Sequence, residues 1–374
     1  SACAPGYYQP AQGKTECIPC PIGTMNSQYG RTQCDPCPSG SFGNDTALVA
    51  CYACPAGYIS TSTGQTECQP CSPGQYNGAT GATVCLQCAP GKVSSRNATT
   101  QCDECGAGLY QSQPGAFNCT RCATGTYNSA TGQSTCLSCS PGFFGNATGA
   151  IECYQCYPGT YQGLPGASTC TECSVGTFND GLGKTSCVEC GRGTYTAVNG
   201  SIACTECAAG SVQIQTGQTS CVQCSAGSFQ ATSGGVVCSL CAAGKAVNTT
   251  NSTACVDCNA GYFQDIPGGS VCTICPAGEI TAAGGATQCS PCPVGTYANA
   301  TGLTACTACP RGTYQNQPGA STCIECAAGT YNNAEQQAQC VSCPAGAYAS
   351  VNGSISCVPC AAGHYQSSNG QSFC

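Results

Sequence analysis

The chain has 374 residues, of which 44 are cysteine, 50 glycine and 22 proline, and none is tryptophan. Cysteine at this density is typical of a disulfide scaffold from an oxidising compartment, and so few large aliphatic residues exclude a sizeable common core. A net charge of −7, with only nine Lys and Arg, argues against nucleic acid binding, which needs a basic surface. Because we find no membrane-spanning apolar run and no signal peptide, we expect a mature or excised segment.

The first elements of the chain are two fifteen-residue segments, 3–17 and 20–34, that each begin and end with cysteine. The same frame continues to the last residue. Every multiple of 17 from Cys17 to Cys374 is cysteine, and so is every position three beyond, from Cys3 to Cys360, which uses all 44 cysteines. The sequence therefore predicts one continuous array, residues 1–374, of 22 units of 17 residues with cysteine at unit positions 3 and 17.

Glycine occupies two further fixed places in the unit. Unit position 6 is Gly in all 22 units, from Gly6 to Gly363, which indicates a positive φ or a close approach of another chain segment. Unit position 13 is Gly in eighteen units, and in four of them it follows Pro, as in a type II turn. We expect a short strand, a turn and a return strand in each unit, closed at the base by the cysteines, and no helix.

Unit position 8 carries the one large apolar side chain of most units. It is Tyr in eleven units and Phe in five. Because no other position supplies such a side chain regularly, these residues are predicted to form a miniature core in each unit. They are Tyr8, Phe42, Tyr76, Tyr110, Tyr127, Phe144, Tyr161, Phe178, Tyr195, Phe229, Phe263, Tyr297, Tyr314, Tyr331, Tyr348 and Tyr365.

A second period of 51 residues lies above the first. Sequons for N-glycosylation recur in every third unit, at Asn44, Asn97, Asn146, Asn199, Asn248, Asn251, Asn299 and Asn352. Unit position 9 follows the same phase, being Gln in seven of the eight units that start each triplet and Asn in five of the seven that come second. The simplest explanation is a superhelix with about three units per turn and a stripe of glycans. Recent triplication of a 51-residue segment is an alternative.

The cysteine spacing is compatible with three kinds of site: a metal site, a redox-active thiol pair and a structural disulfide. C-x2-C-x13-C-x2-C, as in Cys17, Cys20, Cys34 and Cys37, formally resembles a zinc ribbon. A four-cysteine zinc site uses two C-x2-C pairs and would impose a 34-residue alternation, which does not fit a 51-residue superperiod. A thioredoxin-like thiol is disfavoured because the motif recurs in glycine-rich loops along the whole chain. Structural disulfides are the favoured interpretation.

The segments Cys309–Tyr314 (CPRGTY) and Cys343–Tyr348 (CPAGAY), followed by G-x-x-x-C-x-x-C, resemble ephrin-receptor-like cysteine-rich repeats. The loop is also similar to the first sub-module of tumour-necrosis-factor-receptor cysteine-rich domains, although the second sub-module of those domains is absent. The resemblance covers the whole chain. It implies an extended rod in which a disulfide closes each loop. Such repeats occur in receptors, matrix proteins and long protist surface proteins.

Counting predicts the disulfide pairs. If each cysteine joins the one fourteen residues on, none is left over, whereas bridges within C-x-x-C would leave Cys3 and Cys374 unpaired. The predicted bridges follow one rule through all units, and include Cys3–Cys17, Cys20–Cys34, Cys37–Cys51, Cys54–Cys68, Cys71–Cys85, Cys88–Cys102, Cys105–Cys119, Cys122–Cys136, Cys343–Cys357 and Cys360–Cys374.

No constellation of catalytic residues is recognisable. The single histidine, His364, stands at unit position 7, where other units have Thr, Ser, Lys or Tyr, so it is interpreted as a surface residue. The acidic residues are scattered and do not form a calcium loop. A regular threonine ladder for ice binding is also absent, because unit position 7 varies. The sequence thus predicts neither an enzyme nor a metal site, and no cofactor besides covalent N-glycans and a possibility of O-glycans on Ser and Thr.

These features favour a structural extracellular glycoprotein: an elongated, superhelical, disulfide-stapled rod or fibre of a cell-surface appendage or matrix, mostly coil with short β-hairpins. The alternative is the stalk or ectodomain of a receptor or adhesin. Because the chain holds whole units without an atypical cap, we expect a window from a longer array or copies that stack head to tail. All eight sequon sites are candidates for occupancy, with at least one of Asn248 and Asn251 filled. Asn118 precedes Cys119 and is expected to be bare.

Overall fold

The computed structural model describes residues 1–374 and contains two-residue β-strands and turns but no helix. The strands form 21 separate antiparallel pairs. In chain order the pairs are Tyr7–Tyr8 with Ile18–Pro19, Thr24–Met25 with Asp35–Pro36, Ser41–Phe42 with Tyr52–Ala53, Tyr58–Ile59 with Gln69–Pro70, Gln75–Tyr76 with Leu86–Gln87, Lys92–Val93 with Asp103–Glu104, Leu109–Tyr110 with Thr120–Arg121, Thr126–Tyr127 with Leu137–Ser138, Phe143–Phe144 with Tyr154–Gln155, Thr160–Tyr161 with Thr171–Glu172, Thr177–Phe178 with Val188–Glu189, Thr194–Tyr195 with Thr205–Glu206, Ser211–Val212 with Val222–Gln223, Ser228–Phe229 with Ser239–Leu240, Lys245–Ala246 with Val256–Asp257, Tyr262–Phe263 with Thr273–Ile274, Glu279–Ile280 with Ser290–Pro291, Thr296–Tyr297 with Thr307–Ala308, Thr313–Tyr314 with Ile324–Glu325, Thr330–Tyr331 with Val341–Ser342, and Ala347–Tyr348 with Val358–Pro359.

Each pair joins two units, which differs from the hairpin expected within one unit. Unit positions 7 and 8 pair with positions 1 and 2 of the next unit, so Tyr8 lies opposite Ile18. The return strand therefore follows the second cysteine and lies outside the disulfide loop. The physical reason is that the disulfide holds position 17 beside position 3, which directs the outgoing chain back along positions 7 and 8.

A tight turn precedes the first strand of each pair. In the first unit the Tyr7 N–H donates to the Ala4 carbonyl oxygen (3.1 Å), and Gly6 has a φ of 87°. Proline at the second residue and glycine with positive φ at the third are features of a type II turn. Where unit position 7 is Thr, its hydroxyl donates to the same carbonyl, as from Thr24 to Pro21 (2.7 Å). The turn thus explains the requirement for glycine in part.

The cysteines pair within units in the structure. Each cysteine at unit position 3 is bonded to the one fourteen residues on, from Cys3–Cys17 to Cys360–Cys374, and no cysteine is free. The two Cα atoms lie 5.7 Å apart in the first bridge, within the usual range for disulfides. One covalent staple per unit therefore takes the place of a hydrophobic core.

The buried side chains are not the aromatic ones predicted. The cysteines at unit position 3 are the main buried apolar residues, joined by Ala246, Ala298 and Ala349. The residues at unit position 8 that were predicted to form the core are half-buried, except Tyr365, which is 84% exposed. The prediction of an aromatic core is therefore wrong. Their strand is two residues long and open to solvent on one face, so a ring there can be covered on one side only.

Contacts divide the chain into two compact units. One comprises Ser1–Cys173 with Asn179–Cys187, and the other comprises Ser174–Phe178 with Val188–Cys374. Within each, the same 17-residue pattern of strand pair, turn and disulfide recurs. The predicted fold class, a small disulfide-rich and mostly irregular chain with short β-pairs and no helix, is confirmed. The structure holds no helix of the length and hydrophobicity needed to cross a membrane.

Candidate functional site

The most regular feature of the surface and interior is the junction between consecutive 17-residue units. Four backbone hydrogen bonds connect the two units besides the strand pair. Positions 6 and 9 of the first unit donate to positions 9 and 14 of the next unit, respectively. In return, positions 3 and 13 of the next unit donate to positions 6 and 3 of the first unit. In the first junction these are Gly6 N to Asn26 O (2.8 Å), Gln9 N to Arg31 O (3.1 Å), Cys20 N to Gly6 O (2.8 Å) and Gly30 N to Cys3 O (2.9 Å). Because backbone groups make these bonds, side chains can vary while the junction stays the same.

Unit position 6 also contacts the second unit along. A Cβ atom on Gly125 would lie under 3.0 Å from the backbone carbonyl of Gly166, at position 13 two units on. The glycine therefore serves a close approach as well as the turn. This contact makes each junction depend on three successive units and leaves no room for an insertion.

Unit position 9 supplies a polar side chain to the interior in most triplets. Asn26 is 1% exposed, and its Nδ2 donates to the carbonyl of Tyr7 in the preceding unit (2.7 Å) while its Oδ1 accepts from the N–H of Gln28 (2.9 Å). The asparagines of the second unit class at Asn77, Asn128, Asn179 and Asn332 donate to the equivalent carbonyl. Asparagine thus connects a unit to the one before it.

Glutamine at unit position 9 bonds within its own loop instead. Gln213 donates from Nε2 to the carbonyl of Ser220 (2.7 Å) and accepts the N–H of Gln215 (3.0 Å). In the third unit class the position is often small, as in Gly43 and Ala298. Sequence reasoning used this position only as a phase marker and missed its buried role. Its restriction to Gln, Asn or a small residue by class was the available signal.

The few charged residues act across strand pairs and units. Lys92 pairs with Glu104 (3.3 Å) and Lys245 with Asp257 (2.8 Å), each across a strand pair. The Thr131 hydroxyl, one unit further on, donates to Glu104 (2.9 Å). This hydrogen bond, together with that from Lys92 and its charge, lowers the pKa of the Glu104 carboxyl below its ordinary value. All these groups are exposed, so their contribution to stability is small.

The structure brings no reactive groups together. No three side chains of His, Cys, Asp or Glu form a group that could hold a metal ion, and all cysteines are bonded. His364 is exposed, as the sequence predicted, and its backbone N–H donates to the carbonyl of Ala361 (2.9 Å).

The predicted glycosylation sites lie on the surface. All eight sequon asparagines are exposed, which N-glycosylation requires. Asn199 and Asn352 use Oδ1 to accept an N–H of the preceding unit, from Val175 (3.1 Å) and Ala328 (3.0 Å), which leaves Nδ2 available for a sugar. Asn118 is exposed too, so the prediction that it carries no glycan rests on the neighbouring Cys119, which is bonded to Cys105.

Comparison with known families identifies these repeats. The family described as tyrosine-protein kinase ephrin type A/B receptor-like matches residues 1–33, 114–152, 176–220, 244–288, 281–322 and 312–356, which together exceed half of the chain. The chain belongs to the ephrin-receptor-like family. None of the curated proteins compared with it matches significantly. Ephrin-receptor-like repeats with abundant disulfides indicate an extracellular or cell-surface location and a receptor-like or structural module.

Proposed function

We propose that the chain is a structural segment of an extracellular glycoprotein, a disulfide-stapled and N-glycosylated rod or fibre. The observation that carries the proposal is the junction between units, in which backbone hydrogen bonds and a close three-unit contact recur with a constant step. A rod that sets a fixed distance or carries tension needs the same spacing between all units, whereas units joined by flexible linkers do not.

Two further properties support this role. The chain has only nine Lys and Arg residues, so it offers few sites for trypsin. The disulfide in every unit also opposes local unfolding. Apolar side chains such as Ile18, Leu86 and Leu137 at unit position 1 remain exposed and are available for association with further copies. Self-association, end to end or side by side, is part of the proposal.

Particle length tests the rod. The chain, produced in a secretory eukaryotic cell, should be an extended particle by electron microscopy and solution scattering. Deleting residues 103–204 removes six units and keeps the 51-residue phase. A rod would shorten by about a quarter, whereas a globule would lose only about a tenth of its radius of gyration. A radius near the globular value of about 21 Å for the whole chain would contradict the proposal.

Glycopeptide mass spectrometry tests the glycoprotein component. We expect sugar on Asn44, Asn97, Asn146, Asn199, Asn299, Asn352 and at least one of Asn248 and Asn251, and none on Asn118. Empty sequons, or a filled Asn118, would contradict the predicted arrangement.

The second candidate function is the stalk or ectodomain of a receptor or adhesin, and the family match favours it. A stalk needs no self-association, so sedimentation of the purified chain over a range of concentrations separates the two. Growth into filaments supports the fibre, and a monomer at all concentrations supports the stalk. A ligand-binding domain encoded beside the array in the complete transcript would also support the stalk.

A further inference from the structure

A shallow groove recurs beside the strand pairs. Around unit 15 it is a depression of about 470 Å³ whose lining includes unit positions 8, 10 and, from the next unit, 1, 7 and 16. The five residues there are Ala246, Asn248, Val256, Tyr262 and Val271. Around unit 4 the same positions line a second depression with Ile59, Thr61, Gln69, Gln75 and Val84. Position 10 therefore lies at the same groove as positions 8 and 1, and it is the position of four sequon asparagines.

Two of the four sequons at unit position 10 have a pair of aromatic rings beside them at positions 8 and 1. Phe42 and Tyr52 lie opposite each other in units 3 and 4 with ring centroids 5.8 Å apart, and Phe144 and Tyr154 repeat this in units 9 and 10 at 6.1 Å. These are the aromatic ring pairs of the structure. In each pair the phenylalanine lies two residues before a sequon asparagine at position 10, Phe42 before Asn44 and Phe144 before Asn146. Tyr52 is 50% and Tyr154 49% exposed, and both phenylalanines are half-buried, so each ring pair is accessible from solvent.

We infer that the two ring pairs, Phe42 with Tyr52 and Phe144 with Tyr154, are carbohydrate-binding platforms that seat the first N-acetylglucosamine of the glycans on Asn44 and Asn146. The inference rests on the proposed N-glycosylation and specifies where the sugar packs. One face of the sugar ring and the acetyl methyl are apolar, and the hydroxyl groups point outward from the ring edge. Packing that face on the aromatic rings removes apolar surface from water and leaves the hydroxyls hydrated.

The chain contains its own comparison series. Asn299 has a single ring at the groove, Tyr297, because Thr307 stands opposite it. Asn248 has no ring pair, because Ala246 and Val256 stand at positions 8 and 1, and the ring at its groove is Tyr262 at position 7 of the next unit. A sugar on Asn248 therefore meets aliphatic side chains at positions 8 and 1, where a sugar on Asn44 or Asn146 meets the ring pair. Tyr58 holds the unit position of Tyr262 beside Asn44, so these two sites differ in the residues at positions 8 and 1.

Ring-current shifts of the acetyl methyl protons test the inference in the full chain. The protein is produced with high-mannose glycans carrying isotope-labelled acetyl groups, and an endoglycosidase then trims each glycan to one N-acetylglucosamine. Thr46→Ala and Thr148→Ala remove the sequons of Asn44 and Asn146 and so assign their methyl signals. The test variant combines Phe42→Leu with Tyr52→Thr, and we expect it to fold, because unit position 8 is already aliphatic at Ile59 and unit position 1 is already Thr at Thr307. Phe178→Leu is the matched control, because unit 11 has the aromatic but Asp180 in place of a sequon.

We expect the methyl signals of Asn44 and Asn146 upfield of that of Asn248. The double variant should move the Asn44 signal to the Asn248 position, and Phe178→Leu should leave it unchanged. Unshifted methyl signals on occupied Asn44 and Asn146 would overturn the inference and leave the glycoprotein proposal intact. Absence of sugar from both sites by mass spectrometry would overturn both.

Discussion

Replacing Gly125 by alanine tests why unit position 6 is always glycine. Gly125 has a φ of 80°, and a Cβ there would meet only backbone atoms, the carbonyl of Gly166 under 3.0 Å away and the Ala167 carbonyl carbon at 3.2 Å. Alanine in the left-handed region costs about 1–2 kcal/mol. Crowding against atoms that cannot rotate away adds about 1–3 kcal/mol. The junction around unit 8 should therefore lose about 2–5 kcal/mol.

The matched control is Gly149→Ala at unit position 13. Gly149 has a φ of 74°, but its Cβ would find the Arg121 side chain at 3.6 Å, an ordinary contact. The same unit position holds alanine at Ala47 and Ala98, both with a φ of 58°. This variant should therefore lose only the conformational cost of about 1–2 kcal/mol.

Hydrogen exchange is the suitable assay, because a repeat array opens locally rather than as a whole. The Cys139 N–H, which donates to the Gly125 carbonyl (2.9 Å), reports on the junction. A difference of 1–3 kcal/mol between the variants corresponds to exchange that is about 5-fold to 140-fold faster in Gly125→Ala. Equal acceleration by the two variants would show that positive φ, and not the close approach, explains the glycine.

Three further predictions concern the staple, the buried amide and a carboxylate. Replacing Cys139 and Cys153 together by serine should destabilise unit 9 by about 3 kcal/mol and direct limited proteolysis to that loop; a non-reduced peptide map of the unmodified chain should return this pair, and a bridge between Cys136 and Cys139 would refute it. Asn26→Ala should weaken its junction by about 1–3 kcal/mol, seen as faster exchange of neighbouring amides, whereas the exposed Ser27→Ala should have no effect. The pKa of Glu104 is lowered by Thr131 and Lys92, so its small contribution to stability is present above the unfolded pKa and is lost as pH falls through the folded pKa. A carboxyl NMR titration should show that lowered midpoint, and Thr131→Ala should raise it; an unmoved midpoint would exclude the hydrogen bond as the cause.

The sequence by itself determined the features that follow from local constraint. The spacing of cysteines set the unit, because no other position recurs without exception except Gly at position 6. The density of glycine and the lack of a 3.6-residue period excluded helix. The solvent exposure of His364 could likewise be predicted from the variable residues at its unit position.

Only the tertiary structure decided which residues are buried and which units they join. The return strand belongs to the next unit, since the disulfide redirects the chain after position 17. Asn26 is buried because its side chain bonds a carbonyl of the preceding unit and an N–H of its own loop. The first of these partners cannot be inferred from a single unit. Conversely, Phe42 and most other aromatic residues at unit position 8 are only half-buried, because each strand pair is two residues long and leaves its outer face to solvent. A 17-residue unit cannot bury its own side chains, so burial depends on neighbours one and two units away.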